Sequence, residues 1–205
     1  MQWAAFFIAT MGFAFLPGPA MLYTAAQTIG RGKRAGWLAA AGVHLGCYVH
    51  VAMAALGLAL LFAAIPAAYI TMKVIGGVYL LWVGLRLWRK GVPLQGEGAP
   101  DINTKRVLRD SILVEVLNPK TALFFVAFLP QFVQPESAIP VAWQLLWLGI
   151  ATNLLFSIAD VIVVMLASPL RRWLQRKSNS SRLIQRISGG VLMGLGGNTL
   201  AQATR

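Results

Sequence analysis

Six long apolar runs, each closed by a short polar or basic stretch, divide the chain: residues 3–29, 35–65, 67–88, 111–134, 141–170 and 187–203. A helix needs roughly 20 apolar residues to cross a hydrocarbon core, so the pattern predicts an all-α integral membrane protein with six transmembrane helices. The first and fourth runs are interrupted by proline, at Leu16-Pro17-Gly18-Pro19 and at Leu117-Asn118-Pro119-Lys120. Proline removes a backbone donor and clashes with the carbonyl four residues back, so both helices should break there. In lipid a break survives only where it is buried in protein or lines a watery cavity.

The second half repeats the first. Residues 73–87 (KVIGGVYLLWVGLRL) align without gaps on 186–200 (RISGGVLMGLGGNTL). The basic residue, the Gly-Gly-Val, a later glycine (Gly84, Gly197) and the last leucine coincide. Three spans per half is an odd number, so the halves run through the membrane in opposite senses. The expected layout is one transmembrane domain over 1–205: two inverted three-helix repeats, about 1–90 and about 111–205, joined by a cytoplasmic loop of about 91–110. Paired breaks in such halves point to a transporter's binding site.

Composition agrees with a membrane chain: 58% of the 205 residues are hydrophobic and 12% are charged. The excess of 18 Lys and Arg over 6 Asp and Glu could suggest nucleic acid as a partner. The basic residues instead gather in the loops after runs one, three and five, which is the positive-inside pattern. Those loops are expected in the cytoplasm of a bacterium, with both termini outside. The partners expected are membrane lipid and a small molecule, not nucleic acid, with a homodimer as an option for so small a chain. Cys47 has no second cysteine to pair with. The N-terminus lacks a basic region ahead of its apolar run, so no cleavable signal peptide is expected.

Ionisable groups inside spans are costly and mark function. They are Glu115, Lys120, Asp160, His44 and His50. Glu115 and Lys120 flank the second break and can face each other or a cavity. Lys120 can neutralise a substrate carboxylate, and backbone N–H groups freed after Pro17, Pro19 and Pro119 suit the same anion. The alternative is that both side chains snorkel to the cytoplasmic interface. Asn153, Ser157 and Asp160 share one helix face by their i, i+4, i+7 spacing. Asp160 lies mid-span, where it can bind an ammonium or carry a proton in antiport; otherwise it is a protonated interhelical bond. His50 lies on a stripe of small residues (Gly42, Gly46, Ala54) and is either a proton relay or a packed side chain. His44, six residues earlier, falls on another face, which argues against a metal site built from the two histidines.

These stretches resemble the lysine exporter/homoserine–threonine resistance (LysE/RhtB) family of bacterial amino-acid exporters. The matching residues are FLPGP at 15–19, RGKRAG at 31–36, Gly42 and Gly46 with His50, AALG at 54–57, the 73–86 stretch, and LNPKTALFF at 117–125. The resemblance implies six spans, an inner-membrane location and proton-driven efflux, with Pro17, Gly18, Pro19, Asn118, Pro119 and Lys120 as motif positions. Many relatives place an aspartate where this chain has Cys47; Asp160 is outside the family pattern and can compensate for it.

The sequence reading is therefore a secondary exporter of amino acids or related small metabolites. Pro17, Gly18, Pro19, Asn118, Pro119, Lys120 and Asn153 are the candidate substrate residues, and Glu115, Asp160 and His50 the candidate proton-coupling residues. No cofactor is implied. Few acids line the spans, which favours a neutral over a dibasic amino acid. The alternative is a metal-ion or other small-ion exporter or channel. An intramembrane enzyme is disfavoured, because no HExxH, nucleophile-elbow, Ser–Lys or Asp–Asp frame is present.

Overall fold

The computed structural model describes residues 2–57, 66–90, 103–175 and 180–203. Every regular element among them is helical: α1 Gln2–Phe15, α2 Pro19–Arg31, α3 Lys33–Ala55, α4 Pro66–Lys90, α5 Thr104–Val116, α6 Pro119–Leu123, α7 Val141–Gln175 and α8 Ser180–Ala203. After α6 the chain widens into a π turn at Phe124–Phe128 and then tightens into a 3₁₀ turn at Leu129–Phe132.

Both expected breaks are present. α1 and α2 meet at 50° across residues 16–18, and α5 meets the Pro119–Phe132 segment at 42°. Each second helix starts on a proline, whose missing N–H has no partner to lose at a helix's first position. α3 and Val141–Arg171 of α7 are each long and apolar enough to cross a membrane alone; with the two bent pairs, that makes two to four candidate spans among the described residues. Within α4, Val74–Leu85 is a shorter apolar stretch among the described residues.

Three sequence boundaries move. The fourth helix begins at Thr104, not at residue 111, so the end of the expected loop is helical. The Asn103 side chain accepts from the Arg106 N–H at 3.0 Å and caps it. The second helix ends at Ala55, not residue 65, where Gly57 turns the chain with φ +74°; residues 58–65 lie outside the described residues, as does most of the 91–110 loop. The sixth helix begins at Ser180 rather than residue 187.

Small residues set the packing. The predicted stripe Gly42, Gly46, His50 and Ala54 is buried. A Cβ on Gly42 would lie 2.8 Å from the Leu108 carbonyl, and one on Gly46 would lie 2.8 Å from that of Ile112. α3 and α5 therefore touch backbone to backbone, which brings Glu115 beside α3. α4 and α8 pack antiparallel through glycine in the same way. Gly77 lies against the Gly196 backbone, and Gly84 against that of Gly189. Halfway between these contacts lie buried Leu80 and Leu192, the latter next to Met193; the 113-residue repeat alignment pairs Leu80 with Met193. On the other side of the bundle, Phe13, Phe124, Phe128, Phe132 and Phe6 stack ring to ring with centroids 4.8–5.2 Å apart.

Candidate functional site

At the first break the helix ends at Phe15 and Gly18 is extended (φ −135°, ψ 176°). The Gly18 carbonyl accepts from Leu22 N at 3.0 Å and starts α2. The Leu16 carbonyl, released from any helix, accepts from the ammonium of Lys120. That ammonium also stands 4.7 Å from the centre of the Phe13 ring, a cation–π distance. Gly18 makes room for the lysine stem: a Cβ there would lie 2.6 Å from Lys120 Cδ.

At the second break Asn118 does three jobs. Its Oδ1 accepts from Lys120 N at 3.1 Å and caps α6. Its Nδ2 donates to Glu115 Oε2 at 2.9 Å and to Thr121 Oγ1 at 3.0 Å. Both amide hydrogens are thus used, and the Glu115 carboxyl is held against its own break. Behind it, His50 Nε2 lies 2.9 Å from the Glu115 carbonyl. A carbonyl only accepts, so Nε2 is the protonated nitrogen of His50.

Across from the breaks stands one face of α7. Asn153 and Asp160 both point inward, as their spacing predicts, while Ser157 Oγ bonds back to the Asn153 carbonyl at 3.0 Å. His44 of α3 bridges the two: Nδ1 is 2.7 Å from Asn153 Oδ1, and Nε2 is 3.3 Å from Asp160 Oδ2.

These groups surround a cavity of about 40 Å³. Six candidates from the sequence line it: Gly18, Glu115, Asn118, Lys120, Asn153 and Asp160. Pro17, Pro19 and Pro119 shape the breaks around it, and His50 lies one layer back. His44, Cys47, Thr121 and Phe156 line the cavity without having been singled out as site residues. A volume of this order is that of a water-sized cavity. Among the described residues, no three His, Cys, Asp or Glu side chains gather as they would around a metal ion.

A cavity bounded by two broken helices, one lysine and two acids suits a polar solute crossing a membrane. A family model for the LysE type translocator matches residues 11–203. The chain belongs to that family. Members of the family are transporters rather than enzymes, and this chain is a bacterial membrane protein. It is 29% identical over 196 residues to an "uncharacterized membrane protein" of Vibrio cholerae, covering 95% of this chain and 94% of that one. It is 28% identical over 208 residues to the homoserine/homoserine lactone efflux protein of Salmonella typhi, covering 98% and 96%. It is 30% identical over 195 residues to the leucine efflux protein of an Enterobacter species, covering 93% and 88%. No solved structure matches the chain.

Proposed function

We propose that this protein exports an amino acid, or a closely related small metabolite, from the bacterial cytoplasm by proton antiport. The observation that carries the reading is the placement of Lys120 and Asp160 on one cavity between the two breaks. A zwitterion has a carboxylate for the lysine and the N–H groups freed at the breaks, and an ammonium for the acid. Gly18, Asn118 and Asn153 complete the binding surface, with Pro17, Pro19 and Pro119 fixing the freed backbone. Asp160 and Glu115 are the acids within reach of the substrate, and His50 supports Glu115 from behind. The efflux names of the Salmonella and Enterobacter relatives support the substrate class.

The same reading takes the chain as six spans in two inverted repeats. The antiparallel glycine crossing of α4 and α8, centred near repeat-equivalent positions, supports it. The basic loops support a cytoplasmic face after spans one, three and five.

The test is efflux from vesicles loaded with labelled amino acids, beside a screen for amino acids or toxic analogues that become tolerated on overexpression. Wild-type protein should empty the vesicles of at least one neutral amino acid faster than Lys120→Ala or Asp160→Asn. Equal rates for all three would overturn the site.

A further inference from the structure

His44 Nε2 lies 3.3 Å from Asp160 Oδ2, and Asn153 fixes how that imidazole is protonated. Asn153 Nδ2 donates to the backbone carbonyl of His44 at 3.3 Å, which turns Oδ1 toward the ring. An amide oxygen only accepts, so Nδ1 carries a hydrogen whenever this contact is kept. The state of the pair is then decided at Nε2. It lies 3.3 Å from Asp160 Oδ2, and two bare lone pairs would repel there. A hydrogen placed between them removes that repulsion, as imidazolium with carboxylate or imidazole with carboxylic acid.

We propose that the proton shared by His44 and Asp160 is the one exchanged during transport, and that a protonated amine on the substrate takes its place. This rests on the exporter reading and deepens it. Facing the cytoplasm, the pair gives up its proton to water. Asp160 is then a carboxylate beside a neutral imidazole, and the substrate's ammonium donates to it where Nε2–H had donated. Facing outward, a proton enters, the imidazolium re-forms beside Asp160, and the amine leaves still protonated. One proton moves in for each ammonium moved out, and no covalent bond to carbon changes.

The other titratable groups on this cavity are Cys47 of α3, Glu115 of α5 and Lys120 of α6. The Glu115 carboxylate accepts from Asn118, and the Lys120 ammonium donates to Leu16 across the cavity. Lys120 is therefore placed for the opposite end of the solute, and the His44–Asp160 pair is the group left to trade a proton for an amine.

The test uses the full chain in proteoliposomes, with labelled leucine and labelled homoserine as probes. Transport driven by a pH gradient is divided by probe exchange at symmetric pH, so that loss of folded protein cancels. His44→Gln keeps a donor near Asp160 but cannot titrate. Its ratio should fall about tenfold from wild type, as should that of Asp160→Asn, the scale of an ordinary coupling energy. Gly12→Ala, whose added methyl meets nothing within 4 Å, should keep the wild-type ratio. A second readout needs no substrate: imidazole ¹⁵N spectra should show one histidine that keeps its Nδ1 hydrogen while Nε2 changes state with pH, and Asp160→Asn should displace that change. A wild-type ratio in His44→Gln overturns the proposal. Absence of wild-type exchange for either probe, with the histidine signature present, overturns the exporter reading and leaves the shared proton standing.

Discussion

The ammonium of Lys120 donates to the backbone carbonyl of Leu16, so the second proline break is tied to the first across the cavity. The acceptor exists only because α1 stops at Phe15, and the donor arrives only because Asn118 and Pro119 restart the chain with Lys120 facing inward. Two local interruptions, 102 residues apart by their prolines, meet at one cavity.

Gly18 and Lys120 should therefore behave as a coupled pair. Gly18 has an extended backbone that any residue adopts, so a methyl group there acts only by meeting the lysine stem at 2.6 Å. Gly18→Ala and Lys120→Ala should each slow efflux severely. Once the stem is gone, Gly18→Ala should add nothing, giving an interaction energy of about 1 kcal/mol or more in a double-mutant cycle. Additive effects on the efflux rate would show that glycine serves another purpose.

Asn118 both caps α6 and holds Glu115, and two substitutions separate those jobs. Asn118→Ala removes the cap and one donor from a buried carboxyl, costing about 2 kcal/mol in all. Asn118→Ser keeps a capping oxygen but cannot reach Glu115 in the same way. Thermal unfolding in detergent should place the serine variant above the alanine variant, while efflux stays low in both. Restored efflux in the serine variant would mean that the Glu115 contact is dispensable.

The breaks and the inward face of α7 were legible in sequence because both rest on local rules: proline stereochemistry for one, helical periodicity for the other. The place of His44 was not. The six-residue spacing correctly put it on a different face from His50, but α3 is apolar nearly all round. Periodicity cannot say which face of such a helix meets which neighbour. The glycine stripe turns His50 toward α5 and leaves His44 for α7, a choice made by backbone contacts at Gly42 and Gly46 that belong to tertiary packing. Asn118 was likewise read as part of a motif; that its amide would come between Glu115 and Lys120 depends on rotamers rather than spacing.

Close approach of α3 to α5 gives a stability prediction with an internal control. A Cβ on Gly46 meets the Ile112 carbonyl and the Glu115 stem, neither of which can move without shifting a helix. Gly46→Ala should lower the unfolding temperature, by the 1–3 kcal/mol typical of overpacking, or about 2 kcal/mol. Gly12 sits in α1 with nothing within 4 Å of the same methyl, so Gly12→Ala should be neutral. Similar shifts for both, measured in one detergent, would argue that α3 and α5 do not touch.

The crossing of α4 and α8 tests how far the repeat is a symmetry of structure as well as of sequence. Gly84 and Gly197 occupy the same position in the alignment. Their surroundings differ: a methyl on Gly84 would lie 2.8 Å from the Gly189 carbonyl and 2.7 Å from Met193 Cγ, whereas one on Gly197 meets nothing within 4 Å. The repeat partner of Gly189 is Gly76, and it abuts the Leu117 carbonyl at the second break. Gly76 thus seats the broken helix rather than the crossing with α8. Gly84→Ala should separate α4 from α8 and destabilise the protein by about 1–3 kcal/mol. Gly197→Ala should be silent or slightly stabilising, as removal of an exposed helical glycine usually is. Equal losses from both, read as thermal unfolding of the purified protein, would mean that the two halves pack alike and that this asymmetry is absent from the protein in its membrane.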